Sequence, residues 1–448
     1  MPVPVHHVDR FFLLFEDPPP VTCCWSFTVD GGTVEPERLR RAVDEALARQ
    51  PKAAVRLRRE GGRLVWEALT APGARACPLE APLEGASEYI AESRRLSDIM
   101  SSPLDPEQGP LVRLHWIPAG AYRARLVFRF HHALTDGAGS LVFLREVLDA
   151  YNGTSGPPAP SGDGAPLVVG STRSKAGLLA RLVWLHARRS AAHRFALPAR
   201  LYDRARRPDG RIAYAWRGVS PARLERLQAA ARARGAGLTE MLLAAHALAA
   251  ERSAGERGRR CGVLRIAVTQ DLRRRRADAP RLENRSSAFP VWIGPRDRRS
   301  PDRLVRVLRR QVRECLRSRA AAANALLAGL LRLPVPVARR LVLPAATSSR
   351  VADSCAFANM GTLPASAAGG AGWFHLGAGR FVGVRAVIRP AEGLGAIASA
   401  VLLDGTLELG FSYLTGLFET AEAERYVALV DAALDELAAI ASEPPASA

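Results

Sequence analysis

One stretch of the chain, residues 126–148, places the strongest constraint on its fold. An apolar run ends abruptly in His131 and His132, a short polar turn follows, and the residues from Leu141 onward have the apolar spacing of a helix. The pattern therefore predicts a strand, a tight turn and a helix. Because adjacent side chains of a strand point to opposite faces, one imidazole can face a cavity while the other packs into the interior.

Three functions are compatible with a pair of adjacent histidines. The two side chains can simply be satisfied at the end of a strand. They are poorly placed to ligate one metal ion together, because neighbours on a strand point apart. An imidazole can instead act as a general base, since it titrates near neutral pH and accepts a proton from a hydroxyl or an amine. The turn that follows, with Asp136, Gly137 and Gly139, favours the general base, and we expect no metal site.

The spacing His-His-x-x-x-Asp-Gly at residues 131–137 resembles the signature of the condensation-domain and acyl-CoA-dependent acyltransferase superfamily. That superfamily includes peptide-synthetase condensation domains, wax ester synthase/diacylglycerol acyltransferases and polyketide-associated acyltransferases. The resemblance implies an α/β fold of two lobes, each like chloramphenicol acetyltransferase, which form a V-shaped pseudo-dimer with a tunnel between them. It extends over nearly the whole chain, although only the histidine motif is highly specific.

The length of the chain also predicts two units, because 448 residues exceed what a single hydrophobic core usually covers. We place the N-terminal lobe, with the histidine motif, at residues 1–170 and the C-terminal lobe at residues 212–448. Between them, residues 171–211 are predicted to form a basic, partly helical crossing. A segment rich in Gly, Pro and Ser precedes it at residues 152–171.

Several elements are predicted from local patterns alone. Pro36 can occupy the first turn of a helix, and five apolar positions that follow it have the spacing of one helix face: Leu39, Ala42, Val43, Ala46 and Leu47. Residues 304–331 are rich in alanine and leucine and are predicted to be helical. The dipeptide Asp404-Gly405 is a favoured two-residue turn, which predicts a hairpin over residues 397–413.

The family resemblance implies a role for each residue of the motif. His132, the second histidine, corresponds to the family's catalytic base and would remove the proton of the acceptor, whereas His131 would support the structure. Asp136 would pair with an arginine and hold the turn, and Arg273 is the candidate partner. The backbone N–H of Gly137 is the candidate donor to the oxyanion of a tetrahedral intermediate.

Three segments of the C-terminal lobe resemble those beside the family's tunnel. Arg273 follows a buried strand, and Asn284 lies in a loop where Glu283 replaces the usual glycine. Phe357 and Asn359 belong to a segment that resembles a characteristic strand end of the family. We therefore predict that Arg273, Asn284, Phe357 and Asn359 line the substrate tunnel.

The chain is strongly basic, with a formal net charge of +19, and nearly all of its positive charge is arginine, since Lys52 and Lys175 are the only lysines. No helix-turn-helix, zinc-finger or RNP-like element accompanies this charge, so we expect no nucleic-acid partner. A basic surface would also suit an acidic carrier protein or the phosphates of coenzyme A. The basic helix within residues 173–207 can lie on a membrane, but such a helix more often packs on its own protein.

No segment has the length and apolarity of a membrane span, and the start of the chain lacks the layout of a secretory signal. The six cysteines are scattered without a metal-binding or redox spacing, which predicts reduced thiols in a cytoplasmic protein. The chain also lacks a Gly-x-Ser-x-Gly elbow and a recognisable cysteine nucleophile. Direct transfer within a ternary complex is therefore preferred over an acyl-enzyme.

Together with the resemblance, these features imply a stand-alone condensation-type acyltransferase. It would move an acyl group from a coenzyme A or carrier-protein phosphopantetheine thioester to a hydroxyl or an amine, forming an ester or an amide, with no tightly bound cofactor. No carrier or adenylation segment is evident, so we expect a carrier protein in trans and a small-molecule acceptor. Two alternatives are a catalytically silent recruitment domain and a wax ester/diacylglycerol-type lipid acyltransferase at a membrane surface.

Overall fold

The computed structural model describes most of the chain. The described residues are 3–14, 21–61, 63–70, 73–78, 82, 88–120, 122–157, 171–273, 281–330, 337, 340, 352–363 and 375–439. The strands are β1 (Val3–Pro4), β2 (Thr22–Asp30), β3 (Val55–Glu60), β4 (Arg63–Ala68), β5 (Val112–Pro118), β6 (Arg123–His131), β7 (Ile212–Val219), β8 (Leu264–Asp271), β9 (Ser286–Ile293), β10 (Cys355–Thr362), β11 (His375–Leu376), β12 (Gly379–Ile388), β13 (Ala396–Leu403) and β14 (Thr406–Leu414). The helices are α1 (His7–Leu13), α2 (Pro36–Arg49), α3 (Gly73–Ala76), α4 (Glu88–Ser101), α5 (Gly137–Asn152), α6 (Thr172–Ala192), α7 (Pro221–Ala233), α8 (Leu238–Glu256), α9 (Pro301–Ser318), α10 (Ala320–Leu330) and α11 (Thr420–Ala439).

The first lobe is built on an antiparallel sheet with the strand order β11-β12-β2-β6-β5, and a small sheet of β1, β4 and β3 accompanies it. Two helices, α2 and α5, pack against each other and share one hydrophobic core with the sheet. The five buried apolar residues of α2 are those predicted from the helical spacing. The strand, turn and helix predicted around the two histidines are confirmed as β6 and α5.

The second lobe is built on a six-stranded sheet with the order β7-β14-β13-β10-β8-β9, in which β10 runs parallel to both of its neighbours. Among the described residues, six helices, α6 to α11, contribute to its core. Helix α8 is buried continuously from Glu240 to Ala250, as expected for a helix that is apolar all round. The predicted hairpin is confirmed: β13 and β14 meet at Asp404 and Gly405, both with positive φ, which is the geometry of a two-residue hairpin turn.

One segment departs from the domain division predicted above. Residues 375–388 follow most of the second lobe in the chain, yet β12 pairs antiparallel with β2 along nearly its full length. The edge of the first sheet is thereby completed by a strand from the C-terminal half. The sheet membership of these residues differs from their assignment to a continuous lobe at residues 212–448, because a long-range ladder and not chain order decides which sheet a strand joins.

The two lobes also meet through a small apolar cluster at their junction. It combines residues of the first sheet and of α4 with residues of β7 in the second sheet: Cys24, Leu96, Ile99, Met100, Ile117, Val127, Ile212, Tyr214, Trp216 and Val387. Arg385 of β12 lies over the Trp216 ring at 3.8 Å and pairs with Glu92 of α4. A buried apolar contact with paired charges therefore holds the sheets against each other.

The helical prediction for residues 304–331 needs a correction. Residues 301–330 form two helices, because Arg319 adopts a left-handed conformation (φ 55°) that ends α9. Residue 331 lies outside the described residues, as do residues 158–170 of the Gly-, Pro- and Ser-rich segment.

Within the predicted basic crossing, α6 buries Leu178, Leu182 and Leu185 in the second lobe. Among the residues described here, no helix is long and apolar enough to span a membrane.

Candidate active site at the junction of the lobes

The turn between β6 and α5 is held by the carboxylate of Asp136. Its Oδ1 accepts a hydrogen bond from the Gly139 N–H at 2.8 Å, which caps the N-terminus of α5. Gly139 is required by close packing, because a Cβ there would lie 2.3 Å from Thr135 Oγ1 and 2.6 Å from the carbonyl oxygen of Glu283. The turn is therefore pressed against a loop of the second lobe.

The second oxygen of Asp136 is bound to that loop. Oδ2 accepts hydrogen bonds from the backbone N–H of Arg285 at 2.6 Å and from Arg273 Nη1 at 3.0 Å. Arg273 Nη2 also donates to the Glu283 carbonyl oxygen at 2.8 Å. The ion pair expected between Asp136 and Arg273 is present, and both side chains are almost fully buried. Asp136 therefore fastens the turn to the second lobe through its hydrogen bonds from Arg285 and Arg273.

Glu283, which replaces the family's usual glycine, is accommodated by charge pairing. Its Oε1 accepts a hydrogen bond from Arg285 Nε at 2.7 Å, and both side chains are buried. The next residue, Asn284, donates through Nδ2 to the carbonyl oxygen of His132 at 2.8 Å and to Asp9 Oδ1 at 2.7 Å. The loop thus fixes the backbone at His132 from behind.

The first histidine, His131, is completely buried. Its Nδ1 accepts a hydrogen bond from the Ala133 N–H at 3.0 Å, which leaves the proton on Nε2. Burial, reinforced by the nearby charges of His132 and Arg129, lowers the pKa of His131 to about 3. This imidazole is therefore neutral at physiological pH and belongs to the interior, as expected from the alternation of a strand.

The second histidine, His132, borders a cavity. Its ring stacks on Phe12 of α1, with the centroids 3.8 Å apart and the planes 11° from parallel. Its Nδ1 is buried and has no hydrogen-bond partner among the described residues, and the residue forms part of the cavity wall. Desolvation is the main reason that the pKa of His132 lies below its usual value, although Asp136 partly opposes this shift. A neutral imidazole with an accessible nitrogen can accept a proton.

The cavity beside His132 has a volume of about 330 Å³ and is formed by both lobes. Residues from the first lobe, the second lobe and β12 contribute to its wall: Cys23, Cys24, Trp25, Phe130, His132, Asp136, Gly137, Ala138, Leu141, Thr269, Gln270, Asp271, Arg273, Ser286, Ala358, Asn359, Met360, Gly361, Thr362, Leu363, Ala386 and Ile388. Most of the wall from β2, β10 and β12 is apolar or small, so sequence patterns could not distinguish it from the core.

The four predicted tunnel residues occupy different positions. Arg273 and Asn359 line the cavity, and Asn359 Nδ2 also donates to Thr239 Oγ1 at 2.9 Å. Asn284 lies behind His132 and is not part of the wall. The expectation that Phe357 lines the site is wrong: its side chain lies in the core of the second lobe against His246.

The N-terminus of α5 also borders the cavity. Gly137 and Ala138 lie in the wall, and the first N–H groups of a helix have no intrahelical acceptor. At Gly137 a Cβ would lie 2.2 Å from Met360 Cε, so the glycine allows the second lobe to approach the backbone closely. Unpaired N–H groups and the helix dipole together favour negative charge at this point.

The comparisons with known proteins agree with this architecture. The family model of the condensation domain matches residues 22–260 of this sequence, which is more than half of its 448 residues. The chain belongs to the condensation domain family. No curated protein matches the sequence of this condensation domain.

Solved structures match over the full length of the condensation domain. The epimerization domain from the third module of tyrocidine synthetase B has a TM-score of 0.66 and 16% identity, covering 98% of each chain. The first condensation domain of the CDA synthetase has a TM-score of 0.64 and 18% identity, covering 100% of this chain and 98% of that chain. The wax ester synthase/diacylglycerol acyltransferase from Marinobacter aquaeolei VT8 has a TM-score of 0.63 and 16% identity, covering 98% of this chain and 100% of that chain. At these identities the likeness shows the fold, two lobes like chloramphenicol acetyltransferase.

The thiols in the wall of this condensation domain are poor nucleophiles. Burial raises the pKa of Cys23 well above its usual value and raises that of Cys24 to about 12. Both groups are therefore protonated at neutral pH, and a thiol reacts far less readily than a thiolate. Among the described residues, no cluster of histidine, cysteine, aspartate and glutamate side chains could hold a metal ion.

Proposed function

We propose that this condensation domain is an acyltransferase that moves an acyl group from a thioester to the hydroxyl or amine of a small-molecule acceptor. The donor would be acyl-coenzyme A or an acyl group on the phosphopantetheine of a carrier protein acting in trans. Such donors are made in the cytoplasm, and we propose that the reaction occurs there without a tightly bound cofactor.

In the proposed reaction, Nε2 of His132 takes the proton from the acceptor as its oxygen or nitrogen attacks the thioester carbonyl carbon. A tetrahedral intermediate forms, and its oxyanion is stabilised by the backbone N–H of Gly137 at the start of α5. When the intermediate collapses, the carbon–sulfur bond breaks and the ester or amide carbonyl forms. The leaving thiolate takes the proton from the imidazolium, so that His132 returns to its neutral form.

The observation that carries this proposal is the pairing of a neutral imidazole with a helix N-terminus at one cavity. The lowered pKa of His132 keeps its ring unprotonated near neutral pH, and Gly137 lies in the same wall. The raised pKa values of Cys23 and Cys24 argue against an acyl-enzyme on sulfur. Transfer within a ternary complex therefore fits this site better than two-step transfer.

The two alternatives predict different products. A silent recruitment domain would bind carrier proteins without turnover, and it would have no use for a base beside an open cavity. A lipid acyltransferase would accept long-chain alcohols or diacylglycerol. Both alternatives share the fold of the proposed enzyme, so the identity of the product decides between them.

The test is mass spectrometry of acyl transfer with the wild-type protein. Panels of acyl-coenzyme A and carrier-linked donors would be combined with amine, small-alcohol and long-chain-alcohol acceptors. We expect an ester or amide from at least one small acceptor. Binding of an acyl-carrier protein without any product would support a recruitment domain and contradict the proposal. Products formed only from long-chain alcohols or diacylglycerol would contradict the small-molecule acceptor.

A further inference from the structure

A second and larger depression lies on the C-terminal lobe, between α6 and α9. This groove, the α6–α9 groove, has a volume of about 940 Å³. Eight arginines and one glutamate are among its lining residues: Arg181, Arg188, Arg189, Arg306, Arg309, Arg310, Arg313, Arg317 and Glu314. Two of the arginines, Arg188 and Arg189, already share Glu314 as their partner. The groove therefore keeps a large excess of positive charge.

Four arginines of the groove have no partner among the residues that the structure describes. Arg181 of α6 and Arg306, Arg310 and Arg317 of α9 line it, and none is hydrogen-bonded or ion-paired within the described part of the chain. Crowded like charges oppose folding unless something neutralises them. From Ser171 to Tyr202 the sequence contains seven basic residues and no acidic one. These four arginines therefore lack a counter-charge among the described residues, which points to an anionic partner.

Large apolar side chains project from the same helix and the residues after it. Trp184 is 59% exposed and Phe195 is 73% exposed, and Val183 and Leu197 are exposed as well. These four are among only ten large hydrophobic residues found exposed in the described parts of the chain. The guanidinium of Arg188 lies over the Trp184 ring at 4.7 Å. Because Arg188 lines the groove, Trp184 lies at its rim.

The exposed apolar residues are not needed for the core of the lobe. Helix α6 packs into the second lobe through a separate stripe, Leu178, Leu182 and Leu185. A surface helix normally has one apolar face and a polar remainder. Here a second apolar set, with Trp184 at its centre, points to solvent between the arginines, and exposed apolar groups of this kind mark interaction sites.

We propose that α6 and the α6–α9 groove form a docking surface for an anionic lipid bilayer. Arginines alternate along this segment with the exposed apolar residues, from Arg181 past Trp184 to Arg188 and Arg194, and no acidic residue lies between Ser171 and Tyr202. A bilayer interface accepts this mixture, because tryptophan and phenylalanine enter the headgroup layer while guanidinium groups bind lipid phosphates. This role is independent of the proposed acyl transfer, since no residue of the groove lines the cavity beside His132.

The position of Trp184 supplies a direct reporter. The other tryptophans in the described residues, Trp25, Trp66, Trp116, Trp216 and Trp292, are buried. Energy transfer from tryptophan to a dansyl-labelled lipid would be measured with the full chain and two kinds of vesicle. One is phosphatidylcholine alone, and in the other phosphatidylglycerol replaces about a third of it, which supplies a negative surface potential. We expect binding and energy transfer only with the anionic vesicles, and loss of most transfer in Trp184→Phe.

Charge variants separate this surface from general basicity. Each cation near an anionic leaflet contributes about fivefold to partitioning, so Arg306→Gln/Arg310→Gln/Arg317→Gln should weaken vesicle binding about 100-fold. The matched control removes the same charge from three exposed arginines of the first lobe that have no partner among the described residues: Arg41→Gln/Arg63→Gln/Arg380→Gln. Long-range attraction alone would weaken both variants equally, and that result would overturn the proposal.

Apolar variants test insertion into the headgroup layer. Trp184→Ala/Phe195→Ala should reduce vesicle binding at least tenfold, while Tyr122→Ala/Val382→Ala, which removes two other exposed hydrophobic residues, should not. All four variants change exposed side chains, and unchanged melting temperatures would show that they fold. Failure of the wild-type protein to bind anionic vesicles would overturn the proposal, and retention on a column of an acidic protein in that case would assign the surface to a protein partner instead.

Discussion

At the cavity beside His132, the charged residues of the wall are paired with one another: Arg273 binds both Asp136 and Asp271. At the α6–α9 groove, four arginines remain without a partner in the described chain. The cavity is also smaller, about 330 Å³ against about 940 Å³. Both depressions involve the second lobe, and they differ in whether their charged side chains are paired.

The two depressions therefore suit different roles: the cavity suits a chemical reaction, and the groove suits the electrostatic attraction of a partner. In the cavity, paired charges hold the backbone around His132 in place, and the imidazole itself is kept neutral by burial. Preorganised groups of this kind need no rearrangement during a reaction. In the groove, unpaired charges remain free to act on a partner at a distance within the screening length of the solution. Each of the following predictions tests one side of this contrast.

The largest effect is expected at the base. His132→Ala should lower the single-turnover rate of acyl transfer by roughly 10²–10⁴, the range for loss of a general base, with little change in donor affinity. His131→Ala is the matched control: it should lower the melting temperature, because its side chain is buried in the structure. Full activity in His132→Ala would remove the histidine from the mechanism.

The next effect concerns the anchor of the turn. Asp136→Ala should lower the free energy of unfolding by about 3–5 kcal/mol, because it leaves Arg273 and the Arg285 N–H without their buried acceptor. The control is Asp271→Ala, which removes a half-exposed partner of the same arginine and should cost at most about 1 kcal/mol. Chemical denaturation measures both values. An Asp136→Ala protein of unchanged stability but lower rate would contradict the structural role.

Acid should destabilise the fold through its buried histidines. Burial lowers the pKa of His131 to about 3 and that of His246 to about 4, whereas an unfolded chain binds these protons near pH 6.5. Stability is therefore present above pH 6.5 and is lost as the pH falls toward 4, by about 1.4 kcal/mol per pH unit for each histidine. Denaturation between pH 7 and pH 5 measures this slope.

A variant tests the assignment of that slope. His131→Asn should remove the contribution of one histidine to the pH dependence of stability, about 1.4 kcal/mol per pH unit, while the other histidines with lowered pKa values, among them His132 and His246, keep theirs. His375→Asn, at a partly exposed surface position, should leave it unchanged. A slope that is the same in all three proteins would mean that other groups cause the acid sensitivity.

The smallest effect is expected from salt on the chemical step. An acyl N-acetylcysteamine thioester has neither phosphate nor carrier protein, so its transfer should change less than about twofold between low and high ionic strength, because the ion pair of Asp136 with Arg273 in the cavity wall is largely buried. Vesicle binding at the groove should fall steeply over the same range. A transfer rate that changes strongly with ionic strength for this neutral donor would contradict the contrast between paired charges in the cavity and unpaired charges in the groove.

Local patterns predicted the parts of the site that are close in sequence. The strand before His131, the turn at Asp136 and the helix after Gly137 could be inferred because each depends on neighbouring residues. The core face of α2 and the turn at Asp404 were inferred for the same reason. The link between Asp136 and Arg273 came from family resemblance, since the two residues lie 137 positions apart.

Long-range contacts were not available to such patterns. Nothing in the sequence of β12 indicates that it joins the first sheet, because any apolar strand can complete a free edge. Phe357 was placed in the tunnel although it faces the core, since a single apolar strand does not reveal which face is inward. The apolar wall that β2 and β10 give to the cavity has the same composition as the core.

The sequence by itself determined the chemistry: a histidine at the end of a strand, a capped turn and an excess of arginine. The tertiary structure decided which of these groups are paired. It joined Asp136 to the second lobe, buried His131, exposed His132 to a cavity and left Trp184 and the groove arginines facing solvent. The reason is physical, because burial and pairing depend on the distance between groups in space, and that distance is fixed only when the two lobes and β12 have come together.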